Sequence, residues 1–420
     1  MRRNLVLALV LMFVLALSPV AAQEEQSLEI YITGLPESGI EWFNNVAFPA
    51  FAEAYAEENG STVNLSIITG GWSDFDATVA GWITTGSGPD IIYLGSEYAA
   101  TYGNLLKDIS AHFEDSDLEA FLPAAIETVS WDGSIRGLPL LMSPRPIFYR
   151  TDLFAEGTNV PLTFADALAF VEANTVHEDN ALSQMGFMDI GSGLFDSQEF
   201  IGYIWSAGGE LYNEDGTSTF DSAETAEALQ FMYDRRRAVL PTESTAGLPP
   251  FEGYPITSER VVSGIFPLWN MPPVSEAVWE NIAIAPYPAG ENGEPLIQVF
   301  IDWLSVPQYV ADEKLELVTD FLKFITSKEN AEALSDVVGF TPVRTDAWDS
   351  IRTNAVWDSL LNLTVDYGRS FSDVRASAEL RPLIVELVTL YLTDQQSLEE
   401  TQQYLKEDYD AILEDNGYLN

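Results

Sequence analysis

The stretch Thr85-Gly86-Ser87-Gly88-Pro89-Asp90-Ile91-Ile92-Tyr93-Leu94-Gly95-Ser96-Glu97-Tyr98 decides how this chain folds. Small residues ending in Pro89-Asp90 make a turn, a short apolar strand follows, and Gly95-Ser96 stops it. A carboxylate and a phenol, Glu97 and Tyr98, stand just past the stop. Open α/β sheets receive ligands beyond the carboxyl ends of their strands. Glu97 and Tyr98 are therefore the first candidate ligand contacts.

The segments before this stretch supply the rest of an α/β unit. Residues 28–33 alternate and are rich in Ile and Tyr, which predicts a strand. Residues 42–59 place Phe43, Ala47, Phe51 and Tyr55 at helical spacing. Pro49 falls inside that pattern and predicts that regular helix begins near it. Residues 63–68 form the next strand and Gly70-Gly71-Trp72 its exit loop. Ser73 or Asp74 can cap a helix through Phe75, Val79 and Trp82. Strand–helix–strand–helix–strand over so short a span implies parallel strands joined by right-handed crossovers. Farther on, Thr163 and Ser222 are positioned to cap helices, residues 264–269, 282–285 and 296–307 predict strands, and residues 311–327 predict an amphipathic helix. The last helix is expected over residues 398–414.

Composition narrows the function. The formal net charge is −46, from 65 acidic and 19 basic residues. Such a surface repels nucleic acid and anionic lipid, both of which need basic patches. The acids are dispersed and 47% of residues are hydrophobic, which fits folded domains with an acidic skin. Cysteine is absent, which excludes disulfides, thiolate metal sites, a cysteine nucleophile and a lipidated cysteine. Arg2-Arg3, an apolar run over residues 5–17 and Val20-Ala21-Ala22 read as a signal peptide cleaved after residue 22. The apolar run is too short to span a bilayer comfortably. An exported protein in a periplasm, about 400 residues long when mature and divided into at least two domains, is expected.

Several segments, in order, resemble the family 1 extracellular solute-binding proteins of ABC importers, the maltose-binding-protein-like group. They are the opening stretch, Trp131-Asp132-Gly133-Ser134-Ile135-Arg136-Gly137-Leu138-Pro139, Ile147-Phe148-Tyr149-Arg150-Thr151-Asp152-Leu153-Phe154, Ala285-Pro286-Tyr287-Pro288-Ala289-Gly290, Phe321-Leu322-Lys323-Phe324-Ile325-Thr326-Ser327 and Gly339-Phe340-Thr341-Pro342-Val343-Arg344. The resemblance implies an α/β, two-lobed periplasmic-binding-protein clamp of the type II kind, with mixed and parallel sheets and a hinge of several crossovers. It places residues 23–139 with 296–342 in one lobe and residues 140–295 with 343–420 in the other. Crossings are expected near Pro139, between Pro288 and Pro295, and near Pro342. It further implies a monomer that binds a carbohydrate, an oligosaccharide, between its lobes and presents it to the permease subunits of the importer. No catalytic residue, metal or cofactor is expected.

A sugar presents an apolar ring face and a rim of hydroxyls, so its site should mix aromatic rings with carboxylates, amides and arginine. On that chemistry the candidate ligand contacts are Trp42, Trp72, Glu97, Tyr98, Ser143, Arg145, Trp269, Asn270, Asp302 and Trp303. Trp82, Trp279, Trp348 and Trp357 are expected in packing. The chain departs from the family at Ser143, where an Asp is common, and around Asp302-Trp303, where a Gly-Gly pair is usual. Two other functions fit the composition. A cationic solute or a peptide could exploit the acidic residues, and a secreted carbohydrate-active enzyme could exploit a carboxylate pair. The turn Asn213-Glu214-Asp215-Gly216 lacks the alternating ligands and distal Glu of a calcium loop and reads as a plain hairpin turn.

Overall fold

Strands β1 (Glu25–Thr33), β2 (Thr62–Gly70) and β3 (Ile91–Gly95) run parallel with β1 in the middle. The computed structural model describes residues 25–179, 181–189, 195–242, 254–266, 275–352 and 355–419. Leu28, Ile30 and Ile32 of β1 are buried on one face, and Tyr31 and Thr33 on the other. Burial on both faces is what crossover helices impose on parallel strands. No described helix is long and apolar enough to cross a membrane.

Pro49 has a larger effect than the expected helix start. Helix Glu37–Trp42 runs into a single π turn, Phe43–Ala47, and then into helix Phe48–Asn59. Proline offers no N–H and its ring crowds the carbonyl four residues back. The chain widens instead, so that the Phe48 N–H reaches the Phe43 carbonyl five residues behind it. Thr163, Ser222, Ser327 and Ser397 cap helices as acceptors for the first-turn N–H groups. The helix expected over residues 311–327 forms as Leu315–Ile325, and Ser327 caps a further helix, Lys328–Val338.

The later strands are β4 (Ser130–Trp131), β5 (Ser134–Ile135), β6 (Gly137–Arg145), β7 (Ile147–Arg150), β8 (Val176–Glu178), β9 (Ala181–Gln184), β10 (Ser263–Ile265), β11 (Ile282–Ala285), β12 (Ile297–Ser305), β13 (Thr341–Pro342) and β14 (Gly368–Ser370). The main sheet has the order β13-β6-β12-β3-β1-β2, with β14 alongside β12. β12 is antiparallel to both β3 and β6, so the sheet is mixed. A second, antiparallel sheet has the order β10-β7-β11.

Two main apolar cores divide the molecule. One gathers Ile30, Phe43, Phe51, Leu141, Leu304, Phe321 and Leu334. The other gathers Tyr149, Phe164, Tyr203, Phe231, Leu380 and Tyr409, with the Phe164 and Phe231 rings stacked 4.1 Å apart. β6 and β12 pass from the first core toward the second as one hydrogen-bonded pair, from Gly137 opposite Ser305 to Arg145 opposite Gln298. The passages near Pro139 and after Pro295 are strands. Pro139 lies inside β6 opposite Trp303, at a register shift beside Asp302. A bulge is where a sheet tolerates a residue that cannot donate.

Candidate functional site

A cavity of about 300 Å³ opens where the strand ends of the first core face two helices of the second. Its first wall comes from segments close in sequence. Gly34 follows β1, Trp72 follows β2, Tyr93 lies in β3, and Glu97 sits in the 3-10 turn Ser96–Tyr98 that ends it. Trp72 is 41% exposed, and its ring lies parallel to that of Tyr98 at 6.2 Å. Two glycines make room for this wall. A Cβ at Gly34, where φ is +74°, would lie 2.5 Å from the indole nitrogen of Trp72, and one at Gly95 would lie 2.4 Å from the Glu97 carboxylate.

The floor is the β6–β12 pair. Ser143 and Arg145 point up from β6, and Phe300 and Asp302 from β12. The Arg145 guanidinium lies 3.9 Å from the centre of the Phe300 ring and donates through Nη1 to Gln198 Oε1 at 2.9 Å. The Ser143 hydroxyl and Arg145 Nε are buried without a hydrogen-bond partner. Unpaired buried donors are costly, and here they line a space a ligand can fill.

The second wall brings Asp196 and Gln198 at the head of helix Ser197–Ser206 and Arg381 from helix Ser377–Leu392. Asp196 caps its helix by accepting from the Gln198 N–H at 2.8 Å. Gln298 anchors the same helix to the floor, donating to the Gln198 carbonyl and accepting from the Tyr287 hydroxyl at 2.9 Å. Behind it, the buried Arg235 holds Glu199 at 2.9 Å and also pairs with Asp189. Burial pushes the Glu199 carboxyl up to about 8 against the pull of that arginine. Phe340 closes the rim.

Burial dominates the electrostatics. It pushes the Asp302 carboxyl up to about 8, helped by the neighbouring Glu97 charge and opposed by a hydrogen bond with Tyr93. Burial also raises Glu97, while Arg381 and Arg145 pull it the other way. Near neutral pH Asp302 therefore keeps its proton and can donate, whereas arginine and glutamine present fixed donors and an acceptor beside an open indole face. That set can hold a ring with one apolar face and polar groups around its edge.

Of the sequence candidates, Trp72, Glu97, Ser143, Arg145 and Asp302 line this cavity. Tyr98 is buried behind Trp72. Trp42 and Trp303 are not brought to it. Trp42 packs edge-on against Phe43 in the first core, and Trp303, 1% exposed, packs among Tyr31, Phe75 and Leu94 with its indole N–H on the Gly95 carbonyl. Neighbouring strand residues point to opposite faces, so with Phe300 and Asp302 facing the cavity Trp303 must face away. Trp269 and Asn270 lie outside the described residues. Sequence reading missed Tyr93, Phe300, Arg381, Asp196, Gln198 and Phe340. Strand alternation could have supplied Tyr93 and Phe300; nothing local marks Asp196, Gln198 or Arg381.

A two-lobed α/β clamp with a polar and aromatic cleft between its lobes is the architecture of the extracytoplasmic binding proteins. Residues 50–359 match the bacterial extracellular solute-binding protein family, and the chain belongs to it. Among curated proteins, it is 26% identical over 247 residues to an arabinooligosaccharide-binding protein of Halalkalibacterium halodurans, a match covering 56% of this chain and 53% of that one. The match thus spans about half the length of that relative. The solved sugar-binding protein MalE of Xanthomonas citri superposes with a TM-score of 0.75 at 15% identity, covering 94% of this chain and 98% of that one. The maltose-bound MalE3 of T. maritima gives a TM-score of 0.70 at 19% identity, covering 92% and 100%. These two show the fold.

Proposed function

We propose that this protein is the non-enzymatic substrate-binding receptor of an ABC importer. It would work in the periplasm after export and take a carbohydrate, an oligosaccharide, into the cleft for presentation to the permease. One observation carries this reading: a single cavity draws an open indole face from one lobe and hydrogen-bonding side chains from both, with buried donors left unpaired at its floor. The arabinooligosaccharide-binding relative and the sugar-binding neighbours support it. The assignment of residues 23–139 with 296–342 to one lobe, and of 140–295 with 343–420 to the other, belongs to the same reading. So does monomeric function. A cationic solute is disfavoured, because Arg145 and Arg381 offset Glu97 and Asp196 in the cleft lining and Asp302 holds its proton near neutral pH.

A thermal-shift screen of the mature protein against mono- and oligosaccharides, polyamines and short peptides tests it. A ligand at about 100 times its dissociation constant adds about 2.7 kcal/mol of stability, a readily measured rise in Tm. A rise with saccharides supports the reading. A rise with polyamines or peptides alone replaces it.

A further inference from the structure

Basic side chains are scarce in this acidic chain, and many are neutralised locally. Arg150 pairs with Asp152, Lys314 with Asp90, Arg344 with Asp346 and Arg369 with Glu210. The two arginines of the cleft behave differently. Arg145 has Gln198 and the Phe300 ring but no carboxylate partner, and its Nε is buried and unpaired. Arg381 has neither an ion pair nor a hydrogen bond among the described residues, although it lines the cavity. Carboxylates stand nearby, and both arginines act on Glu97 through space, but neither arginine makes an ion pair with one among the described residues. Asp196 caps its helix, and the Glu97 carboxylate lies close over Gly95. The Ser143 hydroxyl is a second buried, unpaired donor on the floor beside Arg145 Nε.

We propose that the carbohydrate taken by this cleft carries a carboxylate, as a hexuronate unit does, seated against Arg145 and Arg381 with Ser143 as a further donor. This rests on the carbohydrate reading above. Guanidinium groups match a planar carboxylate in charge and in hydrogen-bond geometry, and an unpaired buried donor gains most from an ionised acceptor. The acidic exterior does not forbid such a ligand. Exposed charges are screened beyond about 8 Å at physiological salt, whereas the cleft arginines act at contact distance.

Calorimetric titration of the mature protein with matched pairs tests the proposal. The pairs are galactotriose with trigalacturonate, cellotriose with its triglucuronate counterpart, and xylotriose with its glucuronosyl derivative. The uronate member of at least one pair is expected to bind at least tenfold more tightly than its neutral partner. Arg381→Gln is expected to collapse that ratio toward one while unliganded Tm stays near wild type; a merely structural role would lower Tm and leave the ratio intact. If neutral members bind as well as or better than uronates, the carboxylate proposal falls and the carbohydrate reading stands. If no saccharide binds while a polyamine or peptide raises Tm, both fall. If nothing in the panel binds, the carboxylate proposal is overturned for these uronates.

Discussion

The two walls of the cleft are built in opposite ways. The first, Gly34, Trp72, Tyr93 and Glu97, comes from three adjacent parallel strands, where each residue lies in a strand or just past its end. The second, Asp196, Gln198 and Arg381, comes from two helices far apart in sequence and held by buried polar contacts. The first wall is thus set by local chain geometry and the second by tertiary packing. Damage behind the walls should therefore differ from damage on their faces.

The largest effects are expected behind the walls. Trp303→Ala, which empties the core beneath the first wall, should cost about 3–5 kcal/mol of unliganded stability in denaturant titration; a small loss accompanied by lost binding would return Trp303 to the cleft. Arg235→Ala leaves the buried, proton-holding Glu199 carboxyl without its hydrogen-bond partner behind the second wall and should cost about 1–3 kcal/mol. Unchanged stability there would show that the helix bearing Gln198 stands without this pair. On the face of the first wall, Trp72→Ala should lower ligand affinity by about 1.5–3 kcal/mol and leave unliganded Tm nearly unchanged.

A pH experiment sharpens the role of the floor. Folding raises Asp302 to about 8, whereas the unfolded carboxyl titrates near ~4. The folded protein then holds a proton that the unfolded chain has lost, so this group's stabilisation is full below about pH 4 and is lost as pH rises through about 8. Between those limits its contribution falls by up to about 1.4 kcal/mol per pH unit. Asp302→Asn should flatten the unliganded Tm–pH profile relative to wild type and be the more stable form at pH 8. Parallel profiles would mean that Asp302 is ionised in the fold. The smallest change expected is on the second wall, where Gln198→Ala removes one hydrogen bond to Arg145 and should cost about 1 kcal/mol of affinity.

Much of the fold was legible because it is written in short-range pattern. Residues 282–285 and 398–414 were readable almost to the residue, as were the caps at Thr163 and Ser222. The secondary structure around Pro139 was harder to read. A crossing was expected near Pro139 with no element assigned to it, and the long β6–β12 ladder holds Pro139 inside a strand at a bulge. Adjacent aromatic and acidic residues were misleading for a similar reason. Asp302 and Trp303 read together as a site, but strand alternation sends one to the cleft and the other to the core. Arg381 carried no signal, because its position depends on how helix Ser377–Leu392 docks against a surface assembled from the rest of the chain.

The place of β12 in the main sheet bears on how the molecule is made. It lies between β3 and β6, although far more of the chain separates it from β3 than separates β3 from β6. A polypeptide emerging from the ribosome can assemble β1, β2 and β3 early, but β3 and β6 cannot be bridged until residues 297–305 have been made. Until then both strands carry open hydrogen-bonding edges. Completion depends on contacts of long sequence separation, which form slowly. Its topology therefore delays the finished sheet until roughly the last third of synthesis.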